Sequence, residues 1–416
     1  MQKVYFTKYK NMVKLNKDPF HRAIYFNRIA PFIGKQIIKI LVGQRRVGKS
    51  FVLYDLMLQI KKLDKNANII YIDKENIDFD AITNYKELND YVVANSKKNV
   101  KNYIFIDEIQ MIKDFHIAVA SFLLNSDNDI YITGSNSDLL SSDLANELGG
   151  RYIEFVIHGL SYNEFLQFNE LENNTENLER YMRYGGLPYL LHLPYEDTII
   201  TEYLKNIYNS IVLKDIIQKN KIRNTVFLEQ LIKFLASNTG KLFSARNISD
   251  YLKHQQIKIG VQQVIEYANA ISKAFVIYNV PRYDIVGKKI FEIGEKYYFE
   301  DLGIRNVLVG YRVQDKAQVL ENLVYHHLLT CNYDVKVGYV GAKEIDFIAT
   351  KNNEKQYIQV ALELSREDTV EREFGNLLSI NDHYPKLVVT TEKTHTSSFE
   401  GIQHKYIGDF LIDDET

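Results

Sequence analysis

Between residues 37 and 156 the chain alternates short apolar runs with longer stretches of helical period. Runs at 37–42, 68–72, 102–106, 129–133 and 152–156 are apolar almost throughout, rich in Ile, Val, Phe and Tyr. Continuous apolarity over so few residues predicts strands buried on both faces, as in a parallel sheet. Segments at 51–63 and 115–124 carry apolar residues at helical spacing and separate these strands. The alternation predicts a doubly wound α/β sheet.

Beyond Leu160 the period lengthens, with helical patterns at 164–168, 178–184 and 197–219. Helices follow Ser244 and Gly260, and strand-like runs at 274–280 and 289–293 come after them. Helices and then a hairpin form the outline of a winged helix. The final stretch opens with a helix containing Glu321, then strands at 334–339, 344–350, 356–361 and 386–390, with Asn352-Asn353 as a turn. The expected plan is an α/β domain over 1–160, a helical linker or lid over 161–224, a winged-helix-like domain over 225–300 and a small α/β domain over 301–416.

Composition narrows the partners. With 416 residues, 46% hydrophobic, 25% charged and a formal net charge of -2, the chain has ordinary globular character and no global basic field to draw it onto nucleic acid. The single cysteine, Cys331, excludes an intrachain disulfide and a cysteine-based zinc cage, and reads as a core thiol. No apolar run approaches the roughly 18 residues of a membrane span, and residues 1–10 lack a signal-peptide core. We therefore expect a cytoplasmic protein that makes no membrane contact.

Candidate chemistry concentrates in residues 43–50, GQRRVGKS, which satisfy GxxxxGK[ST] and sit between the first strand and a helix. Glycines let the backbone wrap phosphates and aim N–H groups and the helix's positive end at an anion. The expected ATP-binding set is Gly43, Gln44, Arg45, Arg46, Val47, Gly48, Lys49 and Ser50, with Phe51 opening the helix. Lys49 is expected on the β- and γ-phosphates and the Ser50 hydroxyl on Mg²⁺. Downstream, YIFIDE at 103–108 is an apolar strand ending in two carboxylates. Asp107 would hold Mg²⁺, and Glu108 would polarise the attacking water. A third strand runs into Gly134-Ser135-Asn136, where Asn136, or Ser135 in its place, can orient that water.

These motifs, with GGRY at 149–152, GGLP at 185–188, residues 296–303 with Arg305, EIDF at 344–347 and YIQV at 357–360, make the chain resemble prokaryotic AAA+-superfamily ATPases. Those proteins carry a C-terminal domain of unknown function with a fold like that of PD-(D/E)xK nucleases. The resemblance covers nearly the whole chain and implies ATP binding and ATPase activity. It suggests that Arg151 senses the γ-phosphate, in its own site or a neighbouring subunit's, which allows for an oligomer; the rival is a structural salt bridge. Arg22 is a weaker candidate for nucleotide contact.

The C-terminal part matches the nuclease pattern incompletely. Glu321 fits the helix acid and Asp346 the strand acid. Gln359-Val360-Ala361 takes the third place, with Ala361 where a lysine is required. Lys343 and Lys355 are near in sequence but out of alternation, and Glu363 is expected on the face of Gln359. The expectation is a degenerate, inactive site. DNA contact through the winged-helix region would have to rely on Lys253, His254, Lys258, Arg282, Lys288 and Lys289. The expected recognition helix, 261–273, has Gln262, Gln263, Glu266 and Asn269 and only Lys273 as a base, which favours a structural or protein-binding role. Three functions remain open: an ATPase that moves its C-terminal parts, a nucleotide-gated switch with negligible turnover that signals to a protein partner, and an ATP-dependent DNA-processing protein.

Overall fold

In a computed structural model, residues 20–135, 137, 147–254, 257–287, 289–364, 367–393 and 398–413 are described. They form two compact units. One comprises 20–42, 48–134 and 147–157; the other comprises 43–47, 135, 137 and 158–413.

The first unit is built on β1 (Ile38–Val42), β2 (Asn68–Asp73), β3 (Asn102–Asp107), β4 (Asn128–Gly134) and β5 (Tyr152–Val156). All pairings are parallel and the order is β2-β3-β4-β1-β5. Every residue of β1, β3 and β4 is buried, which is why their sequences are apolar without alternation. Phe105 and Tyr131 stack at 4.5 Å between ring centres in the middle of this sheet. The one cation in β1, Lys39, is wholly buried and is neutralised by Asp129, which also accepts from Tyr131 Oη at 2.9 Å and Gly34 N at 2.7 Å. Because β4 lies between β1 and β3, the C-terminal ends of these three strands open side by side. Such strand ends are where α/β sheets bind ligands.

The second unit contains a mixed sheet of β6 (Ile277–Asp284), β7 (Lys289–Phe299), β8 (Asp334–Val340), β9 (Lys343–Lys351), β10 (Glu354–Val360), β11 (Lys386–Thr390), β12 (Ser398–Phe399) and β13 (Ile402–Tyr406). Its order is β12-β13-β11-β10-β9-β8-β6-β7. The helix Lys316–Thr330 packs on one face with Tyr298, Leu323, Tyr325 and Phe347 in the core, and Phe374 and Leu377 of the helix Glu367–Leu378 cover the other. Asn322 closes the end of β7, accepting from Phe299 N at 2.7 Å and donating to Phe299 O at 2.9 Å.

This sheet changes the expected plan at residue 300. The helices Thr225–Ser237, Ala245–His254 and Val261–Lys273 do precede a hairpin, but β6 pairs in parallel with β8 through Arg282, Tyr283 and Asp284. The hairpin is thus two strands of the C-terminal sheet, and a boundary at 300 would cut through that sheet. Glu363 also departs from expectation: β10 ends at Val360, so Glu363 has no strand face to share with Gln359. Among the described residues, no helix is long and apolar enough to cross a membrane.

Candidate functional site

The loop after β1 turns on Gly43 (φ 149°), Arg46 (φ 73°) and Gly48 (φ 98°). Positive φ costs glycine little, so the two fixed glycines of the motif stand where the backbone requires them, and Arg46 accepts the strain between them. Gly48 is the N-cap of the helix Lys49–Leu63, whose first-turn amides therefore face the loop. Lys49 is 5% exposed.

Paired carboxylates end β3. Asp107 is 3% exposed and receives hydrogen bonds from the hydroxyls of Ser50 and Thr133. Burial pushes its carboxyl up to about 6; the two hydroxyls oppose this, and the nearby Glu108 and Asp73 carboxylates add to it. Asp73, its register partner on β2, is likewise raised by burial. Glu108 takes a left-handed conformation (φ 54°), so its side chain leaves the strand in a different direction from that of Asp107. Its amide donates to Thr133 Oγ1 at 3.0 Å, and Gln110 donates to its carboxylate. Thr133 therefore holds both acidic residues, accepting from the backbone of one and donating to the side chain of the other. The arrangement suits a cation on Asp107 and Ser50 and a second carboxylate beside it for proton or water chemistry.

Other expected residues fall in several places. Ser135 is buried, and its hydroxyl lies 3.3 Å from Asp215 Oδ1. Asn136 lies outside the described residues. Arg22 is buried with its guanidinium 4.5 Å from the Tyr25 ring centre. Arg151 lies elsewhere in the first unit. It stands before β5, and its carbonyl accepts from the amide of Ile38 at the start of β1, whereas the phosphate loop leaves β1 at its other end, after Val42. Four strand steps of about 3.3 Å put roughly 13 Å of sheet between them. Arg151 thus stands at the opposite end of β1 from the residue at which the loop departs.

Asp215 went unnoticed in the sequence. It is 1% exposed, on the π-helical stretch Ile211–Gln218, and grips Arg45 of the loop with Nε–Oδ2 at 2.8 Å and Nη2–Oδ1 at 3.1 Å. π-Helical turns are rare and often mark functional positions. No local pattern could have singled it out, since 170 residues separate the pair.

Within the second unit, Glu321, Asp346 and Gln359 converge. Gln359 Oε1 accepts from Asp346 N at 3.4 Å, and Asp346 Oδ2 accepts from Val360 N at 2.8 Å. The cation missing at Ala361 comes from another strand. Lys296 on β7 places Nζ 2.9 Å from Glu321 and 2.6 Å from Glu344, and Tyr298 donates to Glu321 at 2.5 Å. Burial alone would lower the Lys296 ammonium, but Glu321, Asp346 and Glu344 together hold it above its ordinary range. Asp346 is pushed well up, first by burial and then by Glu321. Lys355 instead lies near Asp382 at 3.7 Å, and Lys343 donates to Gly375 O at 3.2 Å. Of the residues expected to meet DNA, Arg282 lies over the Tyr339 ring at 3.8 Å and Lys253 pairs with Asp250 at 3.1 Å. The glycines of 185–188 and 296–303 are packing residues: a Cβ on Gly186 would meet Leu160 O at 2.4 Å, and one on Gly303 would meet Tyr184 O at 2.0 Å.

Comparison with known proteins agrees with this geometry. Residues 35–166 match the family described as AAA domain, and 175–315 match a domain of unknown function, DUF8612. An uncharacterized protein of Haemophilus influenzae is 33% identical over 407 residues, covering 96% of this chain and 100% of that one. Uncharacterized protein MJ1544 of Methanocaldococcus jannaschii is 31% identical over 357 residues, 81% of this chain and 77% of its own. The Walker-type ATPase PABY2304 of Pyrococcus abyssi, at 14% identity, superposes with a TM-score of 0.51 over 70% of this chain and 97% of that one, a likeness of fold.

Proposed function

Because the chain belongs to the family of that Haemophilus influenzae protein and carries an AAA-type P-loop ATPase domain, we propose that it binds Mg-ATP on residues 43–51 and hydrolyses it. In this reading Lys49 neutralises the β- and γ-phosphates, Ser50 and Asp107 hold Mg²⁺, and Glu108 directs the lytic water. The bound ion would draw charge off the γ-phosphate, while this chain's amides and ammonium would receive the charge that develops on the leaving side. Asn136 is the proposed companion of Glu108, and Arg151 the residue offered to a neighbouring subunit. The observation that supports the reading is Thr133, whose hydroxyl donates to the Asp107 carboxylate and accepts from the Glu108 amide.

Arg45 gives the loop a route to the rest of the second unit. Rearrangement of the loop on hydrolysis would pull on Asp215 and the helix Asp197–Ser210 that runs into its π-helical stretch. We read the three helices and hairpin of 225–299 as winged-helix-like and the sheet with the helix Lys316–Thr330 as nuclease-like, with Lys296 standing where a cleaving enzyme would need a metal. That placement favours a protein-directed mechanical or signalling output over DNA cleavage.

Steady-state phosphate release tests the proposal. Many turnovers per chain are expected, with loss of both nucleotide binding and release in Lys49→Ala, by about 100-fold or more. A single turnover that then stops would make the protein a nucleotide-gated switch. Cleavage of duplex DNA that disappears in Asp346→Ala would overturn the reading of the second sheet.

A further inference from the structure

Three side chains from separate elements meet inside the second unit, apart from the phosphate loop. His158 follows the segment that leaves β5, Glu300 follows β7, and His326 lies on the helix Lys316–Thr330. All three are buried. His158 Nδ1 is 2.9 Å from Glu300 Oε2, and His326 Nε2 is 3.3 Å from Glu300 Oε1. The rings stand edge to face with centres 5.3 Å apart. The ligand atoms of the three lie within 4.8 Å of one another.

We propose that His158, Glu300 and His326 form a binding site for a divalent transition-metal ion of the zinc class. Two imidazole nitrogens and one carboxylate oxygen are a donor set that zinc takes with a fourth position left to water. Ligands about 2.0–2.1 Å from a tetrahedral ion stand about 3.3 Å from each other; the two imidazoles now hold different oxygens of Glu300, so small side-chain rotations would bring one donor of each residue onto a shared ion. The carboxylate is already oriented, because Gly159 N donates to Glu300 Oε1 at 2.9 Å.

A small cavity adjoins two of the three residues. Of about 10 Å³, it is bordered by Glu300, His326, Gly159, Gly185, Gly186 and Asn322. That is about the space of one water. The glycines that border it pack closely, since a Cβ on Gly159 would stand 3.2 Å from Gly186 O.

Charge points the same way. Glu300 and its neighbour Asp301 are 4% and 3% exposed, and among the described residues neither forms an ion pair with a lysine or arginine. Asp301 spends its oxygens on the amides of Gly186 and Ile304, each at 2.8 Å. A divalent ion on Glu300 would neutralise a buried carboxylate whose cationic partners among the described residues are otherwise the two imidazoles in their protonated form. It would also clamp together three chain segments that are distant in sequence, so its binding energy would be folding energy.

The test uses the full chain without a polyhistidine tag, freed of metal with a chelator and titrated with Zn²⁺ against a chromophoric competitor. One tight site per chain is expected. His158→Gln and His326→Gln should each weaken it by about 100-fold, while the exposed His192→Gln should leave it unchanged. No tight site in the wild-type chain, or equal affinity in the two cluster variants, overturns the proposal. If those substitutions prevent folding, Co²⁺ bound to the wild-type chain decides. An intense visible spectrum of tetrahedral type supports the site, and the weak spectrum of an octahedral ion overturns it.

Discussion

Two carboxylate clusters in this molecule treat their charge in opposite ways. At the end of β3, Asp107 is held by the hydroxyls of Ser50 and Thr133, which donate hydrogen bonds without cancelling its charge. On the second sheet, Glu321 and Glu344 are bound directly by the Lys296 ammonium, with Asp346 close enough to raise it further. Buried acids supported by neutral donors retain an appetite for a cation from solution. Acids that share a buried lysine have been given a cation by the chain. What separates a metal-binding acid from a structural one is therefore the identity of its neighbours, and a motif that names only the acids cannot tell the two apart.

The largest effect that could break this contrast comes from Lys296→Met. Removing the ammonium leaves buried Asp346 and the half-buried Glu321 and Glu344 without their shared cation. Loss of one partner of a buried pair costs about 3–5 kcal/mol, to be measured by urea unfolding. The sign with pH follows from Asp346, whose carboxyl lies above its ordinary range in the fold. A carboxyl raised on folding takes up its proton earlier in the native state, so the variant should recover stability as pH falls and lose it as pH rises. A cost under about 1 kcal/mol, the value of an ordinary surface pair, would mean that Lys296 is not the neutralising group.

Next in size is Glu108→Gln. The amide keeps the side chain's shape and the hydrogen bond from Gln110 can re-form, but the group can no longer take a proton. Nucleotide affinity should stay within a factor of a few, and turnover should fall by about 100-fold, the usual share of a positioned base. Equal phosphate release by the variant and the wild-type chain would remove Glu108 from the chemistry and leave Asp107 as the only working acid.

Much of the first unit could be read in advance, because its information is local. The five parallel strands announce themselves by unbroken apolarity, and the loop by glycines at the two positions where φ is strongly positive. What could not be read depends on which distant segments meet. Lys296 lies 25 residues before Glu321, on a strand that the pattern assigned to a winged-helix hairpin. It joins the acids only because β6 pairs with β8, and parallel pairing leaves no mark on a single strand. Asp215 reaches Arg45 across 170 residues for the same reason. Arg151 was legible as a basic residue after paired glycines and before a strand, but its place at the opposite end of β1 from the loop appears only with the register of β1 and β5. The strands β12 and β13, short and without alternation, gave no periodic signal at all.

The smallest predicted effect is the most discriminating, because it separates holding an acid from being one. Thr133 carries no charge and cannot take a proton from water, yet its hydroxyl accepts from Glu108 N and donates to Asp107. Valine has nearly the same shape, and its β-branching suits a strand such as β4, where Thr133 is wholly buried. Thr133→Val should therefore fold while leaving the Glu108 amide without its acceptor and Asp107 without one of its two hydroxyl donors. If the hydroxyl positions the acids, turnover should drop by about tenfold, the equivalent of one hydrogen bond of about 1.4 kcal/mol. Half-maximal turnover should also need more Mg²⁺, because the metal acid has lost part of its orientation. A merely structural role would lower the unfolding midpoint and leave the Mg²⁺ dependence where it was. Should the variant show that second pattern, Ser50 alone would orient Asp107, and the contrast between the two clusters would rest on one hydroxyl in place of two.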